Sequence, residues 1–226
     1  MPQPLVITID GPAGAGKSSV AKAIARRLNI FYLDTGAMYR ALTLKALRKK
    51  INLADEDALA AMARQTTIEF RRDKEGALRI FLDGEDVSQE IRSLEVTNNT
   101  FYAARTAKVR SVLVKWQQAM GQKESIVGEG RDLGTVVFPR ADYKFYLDAD
   151  FEERCRRRIK ELKEQGKSFD EEQLKKDIQE RDQKDFTRQA SPLRKADDAI
   201  VIDSTGLTAE ETAEVIIKHI KASTRV

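Results

Sequence analysis

The stretch Gly11-Pro12-Ala13-Gly14-Ala15-Gly16-Lys17-Ser18-Ser19 combines small residues, a lysine and two hydroxyls at fixed offsets, fitting G-x-x-x-x-G-K-[ST] without a gap. Those residue types suit one chemistry, the holding of phosphate groups. Glycines allow turns that a Cβ would block, so the backbone amides can converge on phosphate oxygens. A helix beginning at the end of the loop presents free N–H groups and the positive end of its dipole to the same anion. In that reading Lys17 reaches the outer phosphates of a triphosphate, and the Ser18 hydroxyl ligates Mg²⁺.

Other residues could join such a site. Arg131 and Asp132 follow an apolar run, Ser125–Gly128, that reads as a buried strand. Leu174, Ile178, Arg181, Asp185 and Arg188 recur at steps of four, three, four and three, so they share one helical stripe. Its apolar half suits a core seam, and its Arg-Asp-Arg half suits either an anionic, hydroxyl-bearing ligand or a helix running into solvent. Spacing leaves those two open. Arg154, Arg156, Arg157 and Arg158 cover more than one helical face. They form either a solvated face balanced by Glu152, Glu153 and Glu161, or an arginine-rich lid over phosphates. Tyr39, Arg40 and Arg110 say nothing taken singly.

The elements around these residues are those a phosphate loop demands. Leu5–Ile9 is short, apolar and β-branched, as a buried parallel strand should be. Val20, Ala21, Ile24, Ala25 and Leu28 then recur at helical spacing. No G-x-G-x-x-G follows the first strand, which excludes a dinucleotide-binding turn. Further strands are expected at 31–33, 125–128, 143–147 and 199–202. Helices are expected over 35–47, with Thr35 as cap, and over 55–64, 95–122 in two pieces, 150–160, 170–187 and 209–223. Ile68–Phe70 and Leu78–Leu82 read as an antiparallel pair joined by a turn over 72–76, with another turn at Asp83–Asp86. Strands alternating with helices predict an α/β fold, a parallel sheet with helices on both faces, plus a small antiparallel β insertion. Ligands of such sheets sit at the carboxyl ends of the strands, where both Gly11–Ser19 and Glu129–Asp132 fall.

Composition narrows the class. The 226 residues suit a single domain over 1–226, with 66–95 as an insertion. Forty basic residues against 36 acidic leave a net charge of +4, short of the excess that a nucleic-acid binder usually shows. A single cysteine, Cys155, excludes an internal disulfide and fits a reducing compartment. A single histidine makes zinc sites and histidine triads poor readings. There is no apolar run of membrane-spanning length and no secretion signal, so a cytoplasmic protein without membrane or nucleic-acid partners is expected. A GTPase needs N-K-x-D, which is absent. The D-x-x-G match at Asp203–Gly206 falls after the last strand. A motor or transporter ATPase needs a clearer Walker-B acid than Ser125–Glu129 offers. Small P-loop kinases remain.

Within that class the chain resembles the cytidylate kinases of bacterial type, from the first strand to the last helix. The resemblance is carried by Ile7–Lys17, Leu33–Arg40, Gly84–Ser88, Glu90–Arg92, Gly130–Pro139, Glu180–Asp182 with Asp185 and Arg188, and Ala199–Thr205. It implies transfer of the γ-phosphoryl group of ATP to CMP or dCMP with Mg²⁺, by a monomer. Arg40, Arg131 and Arg188 resemble the family's monophosphate ligands. Arg110 and Asp132 look like its cytosine readers, with Thr35 nearby. Arg181 and Asp185 look like its ribose contacts. Arg157 and Arg158 resemble lid residues, in a lid over 150–170. The resemblance gives catalytic roles to Lys17, Arg131, Asp132, Arg157 and Arg158. At one place the chain departs from the pattern, with Thr100-Phe101-Tyr102 where relatives can offer a serine to the base. Two other readings stand beside this one: a kinase for UMP or a non-nucleotide acid, and a P-loop regulator or RNA-associated protein without turnover.

Overall fold

The structure, a computed structural model, describes residues 3–73, 77–164, 166 and 168–223. The turn expected over 72–76 lies partly outside the described residues, as do Gln165 and Lys167 of the glycine-containing segment after the basic helix. The chain forms two compact units, one of Met1–Leu33 with Met120–Val226 and one of Asp34–Ala119.

The first unit is built on a five-stranded sheet in the order β2-β6-β1-β7-β8. The strands are β1 (Val6–Asp10), β2 (Phe31–Asp34), β6 (Ile126–Gly130), β7 (Tyr143–Asp148) and β8 (Ile200–Asp203). β1 pairs in parallel with β6 on one side and β7 on the other, and β7 pairs in parallel with β8. The chain therefore reverses its strand order at β1, and the loop leaving β1 opens at the switch point of the sheet. All five residues of β6 are buried, as are four of the five in β1. Burial at consecutive positions requires cover on both faces, which explains why these segments read as apolar runs and not as alternations. Helix α1 (Lys17–Leu28) packs on β6 and on α8 (Ala209–Ser223). Arg26 and Arg27 reach Glu210 and Glu214 across that helix pair. Helix α6 (Phe151–Glu164) packs against α7 (Glu171–Thr187), whose N-terminus Asp170 caps by accepting from the Gln173 amide.

The second unit holds α2 (Thr35–Arg48), α3 (Glu56–Arg64), α4 (Leu94–Arg105) and most of α5 (Ala107–Lys123). It also holds the antiparallel sheet β3 (Ile68–Arg72), β4 (Leu78–Leu82) and β5 (Glu85–Asp86). In the register Ile68↔Leu82 and Phe70↔Ile80, the apolar side chains alternate toward Ala41, Leu44 and Leu47 of α2. Two local expectations are corrected. Asp34, not Thr35, caps α2, because its carboxylate accepts from the Ala37 amide while Thr35 is already helical. Asp83-Gly84 makes the turn alone, with both residues at positive φ, and Glu85–Asp86 is a short strand on β4. A segment that sequence periodicity did not predict, Leu133–Val137, coils into one wide helical turn after β6.

Candidate active site

The loop leaving β1 is shaped by two close approaches. A Cβ on Gly11 would lie 2.0 Å from the Leu147 carbonyl oxygen, a distance no side chain tolerates. Gly14, at φ +77°, lies against the backbone of Arg154, where a Cβ would stand 3.0 Å from the Arg154 oxygen. The loop ends at Gly16, and α1 begins with no side chain capping its first amides. Those amides are the groups that a phosphate would satisfy.

Lys17 is 5% exposed, and its Nζ donates to the Pro12 carbonyl at 2.6 Å. Burial, followed by the cation of Arg131 nearby, lowers its pKa to about 7, with Glu129 pulling the other way. Such an amine is short of anionic partners, and a phosphate would supply them. Ser18 is exposed and donates to Glu129 Oε1 at 2.7 Å, and the Tyr32 hydroxyl stands 3.4 Å from the same oxygen. Glu129 thus meets the loop's serine from β6. The sequence places Glu129 at the carboxyl end of a strand and gives it no role; that this strand lies beside β1, within reach of Ser18, comes from the strand order.

Asp10 is buried at the end of β1 and accepts from the amides of Leu133 and Gly134 at 2.9 and 2.8 Å. It holds the turn after β6 in place. Burial raises its pKa to about 6, the two amides oppose the shift, and Asp132 adds to it. Beside that turn lies the charged half of the α7 stripe. Arg131 Nε donates to Asp185 Oδ2 at 2.6 Å, and Arg188 stands 3.6 Å from Asp132 and 3.8 Å from Asp185. Burial would raise the Asp185 carboxyl, but Arg131, Arg181 and Arg188 outweigh it and hold it below its usual range. Arg181 is exposed, and Asp132 and Arg188 are buried. Asp185 and Arg188 of the stripe therefore turn into the protein, while Arg181 stays at the surface. Within one unit the stripe joins Arg131, Asp132, Asp185 and Arg188 in one network, which also acts on Lys17.

The basic helix divides its arginines. Arg157 donates to Ala15 O at 3.2 Å, to Ser204 Oγ at 3.0 Å and to the carbonyl of Ser204, and its Nε pairs with Glu153. Arg158 pairs with Glu161 and Arg156 with Glu153. Arg154 is buried against Asp182. Arg154, one of the candidate lid arginines, is thus spent on a buried pair, and its partner Asp182 has no role in the sequence reading. Asp182 is one turn beyond Ile178, on the flank of the same stripe, and that position was the available signal.

The second unit carries its own cationic group. Asp34 Oδ2 receives Arg40 at 2.9 Å and Arg92 at 3.5 Å, so two guanidinium groups converge on one carboxylate. Arg92 lies in Glu90–Arg92, a segment that carries the family resemblance but implies no role for it. Thr35 is buried, as is Arg110, whose guanidinium lies 5.4 Å from the centre of the Tyr39 ring and donates to Ala104 O. In the departing segment the Thr100 hydroxyl donates to Val96 O, and Arg105 lies over the rings of Phe101 and Tyr102.

A glycine-rich loop at the switch point of a parallel sheet, a buried lysine and an arginine–aspartate network beside it define a P-loop phosphotransferase. The family model for cytidylate kinase matches residues 7–222. Cytidylate kinase from Desulforamulus reducens is 52% identical over 215 residues, covering 95% of this chain and 96% of that protein. Cytidylate kinase from Pelotomaculum thermopropionicum is 48% identical, with 97% of each covered. The Clostridioides difficile protein of the same name is 46% identical over 96% of this chain and 98% of its own length. The chain belongs to the cytidylate kinase family.

Proposed function

We propose that this protein transfers the γ-phosphoryl group of ATP to CMP and dCMP, giving ADP and the corresponding diphosphates, in pyrimidine nucleotide metabolism. The observation that carries the reading is the network of Arg131, Asp132, Asp185 and Arg188 beside the buried Lys17, on a chain of this family. Phosphoryl transfer asks a protein for alignment and charge stabilisation more than for covalent chemistry. Loop residues Gly11 to Ser19 hold the triphosphate of ATP. Lys17 meets the outer phosphates, its proton restored by their charge. By the family resemblance, Arg40, Arg131 and Arg188 are the ligands of the acceptor phosphate, which suits bidentate guanidinium groups. Asp132 accepts from the cytosine amino group, with Arg110 and Thr35 contributing to base recognition. Asp185 and Arg181 take the ribose hydroxyls.

Mg²⁺ fits the residues present. The Ser18 hydroxyl and the Glu129 carboxylate offer oxygen donors 2.7 Å apart, and this ion is usually held by one or two such groups with substrate phosphates and water. When bound, it neutralises charge on the β- and γ-phosphates. Segment 66–95 serves the monophosphate side, and 150–170 acts as a lid that excludes water. Arg157 and Arg158 turn to the transferring phosphate on closure. The protein works as a cytoplasmic monomer without nucleic-acid partners. Among the described residues, no helix is long and apolar enough to cross a membrane.

An ADP-forming assay against CMP, dCMP, UMP, AMP and shikimate tests the reading. CMP and dCMP are expected to give the highest kcat/KM. A preference for UMP or shikimate, or no turnover with any acceptor, overturns it.

A further inference from the structure

We propose that Asp182 and Arg154 form a positioning clamp that orients the peptide groups of the phosphate loop around Ala13. This inference rests on the reading of that loop as the ATP site. Asp182 and Arg154 are 7% and 8% exposed. Asp182 Oδ1 accepts from the Ala13 amide at 2.9 Å, and its Oδ2 pairs with Arg154 Nη1. The same Nη1 donates to the Ala13 carbonyl at 2.8 Å, which closes a ring of three partners. Arg154 Nε also donates to Ala149 O, and its guanidinium lies over Phe151. Ala13 packs with Cys155 and Ile178, flanked by Phe151 and Leu174, so the ring sits on an apolar floor.

A peptide unit is planar and trans, so its C=O and the N–H of the next residue point in opposite directions. The Pro12–Ala13 unit is held at both ends, its oxygen by Lys17 and its N–H by Asp182. In the Ala13–Gly14 unit the oxygen is drawn to Arg154, which turns the Gly14 N–H the opposite way. Gly14 itself lies against the Arg154 backbone. The clamp thus spends the two polar groups of Ala13 on the protein and leaves the following amides for the anion. It also keeps the Pro12–Ala13 plane fixed when Lys17 leaves the Pro12 oxygen for a phosphate. Asp182 and Arg154 are positioning residues that act through Ala13. Because the pair is buried, removing one partner strands the charge of the other.

The test measures ADP and CMP binding by titration calorimetry, together with kcat, KM for ATP and thermal stability. It compares wild type, Asp182→Asn, Arg154→Met, Arg154→Lys and the double variant Asp182→Asn/Arg154→Met. Asp182→Asn keeps an acceptor for the Ala13 amide and is the variant least able to disturb folding. Each of Asp182→Asn and Arg154→Met should weaken ADP about tenfold or more and raise KM for ATP, with CMP affinity changed less than about twofold. The double variant should be no worse than the worse single variant, because the residues act as one unit. Arg154→Lys should recover part of the loss. Unchanged ADP binding, equal losses for ADP and CMP with falling stability, or losses that multiply in the double variant would each overturn the clamp. Wild type that binds ADP but neither binds nor phosphorylates CMP would overturn the functional reading alone. Wild type that binds no ADP would overturn both.

Discussion

Replacing Lys17 by methionine should stabilise the nucleotide-free protein, relative to wild type, more in acid than in alkali. The Lys17 pKa falls from the ordinary 10.5 to about 7, with burial as the first cause and the Arg131 cation the second. A depressed pKa gives stability that is complete above the unfolded value and is lost as pH falls through the folded value. Between about pH 9 and about pH 6, wild type therefore loses about 2–3 kcal/mol through this single group. Methionine has similar length and no charge, so its variant escapes that loss. The hydrogen bond to Pro12 O is worth roughly 1 kcal/mol and disappears at every pH, because a neutral amine also donates. The useful quantity is therefore the change with pH in the gap between the two proteins. Asp10 works in the same direction, since the Lys17 charge lowers its pKa and removal of Lys17 raises it. Urea unfolding of both proteins at the two pH values, with m checked for constancy, gives the number. A gap that is the same at both pH values would refute the reasoning, because Lys17 would then not titrate in that window. The same variant should lose turnover by about a hundredfold or more, with CMP binding little changed.

The other expectations concern recognition and closure. Cytosine presents an amino donor where uracil presents a carbonyl, so Asp132→Asn should narrow the CMP to UMP ratio of kcat/KM; an unchanged ratio places selection elsewhere. Asp185→Ala should weaken CMP more than dCMP by roughly 1–3 kcal/mol if the 2′-hydroxyl is its partner. Equal losses in titrations with the two nucleotides would instead point to its pairing with Arg131. Replacing Arg157 and Arg158 together by alanine should lower kcat while CMP affinity holds, and hydrogen exchange over 150–170 should slow most with ATP and CMP both bound. Intact kcat in that variant would confine these arginines to the Ser204 and Glu161 contacts they make here.

Much of this was legible in the residues, for a reason that differs from element to element. The phosphate loop is contiguous, and its glycines, lysine and serine serve one local geometry, so the motif carried its own context. β6 and β1 are buried on both faces and showed as apolar runs. The α7 stripe was visible as a period, but its meaning was not. Whether Arg181, Asp185 and Arg188 met solvent or a network depended on Arg131 and Asp132, some fifty residues earlier. Glu129 was legible as a strand-end acid, but its meeting with Ser18 was not, because strand order alone brings the two together. Asp182 was missed because its partners are a main-chain amide and an arginine in another helix, and neither leaves a periodic trace. The Asp34 cap was displaced by one residue because Asp and Thr are both good caps and stand side by side.

The approach of Gly11 to the Leu147 carbonyl has a genetic consequence. Glycine codons are fourfold degenerate at the third base, so changes there are silent, whereas every missense change at the first or second base introduces a Cβ. At this position that atom would have to occupy space already filled by the main chain of β7. Main chain cannot adopt another rotamer, and no repacking of neighbouring side chains relieves it. Every single-base missense change at position 11 therefore requires main chain to shift, so silent changes are the only ones expected to carry no structural cost.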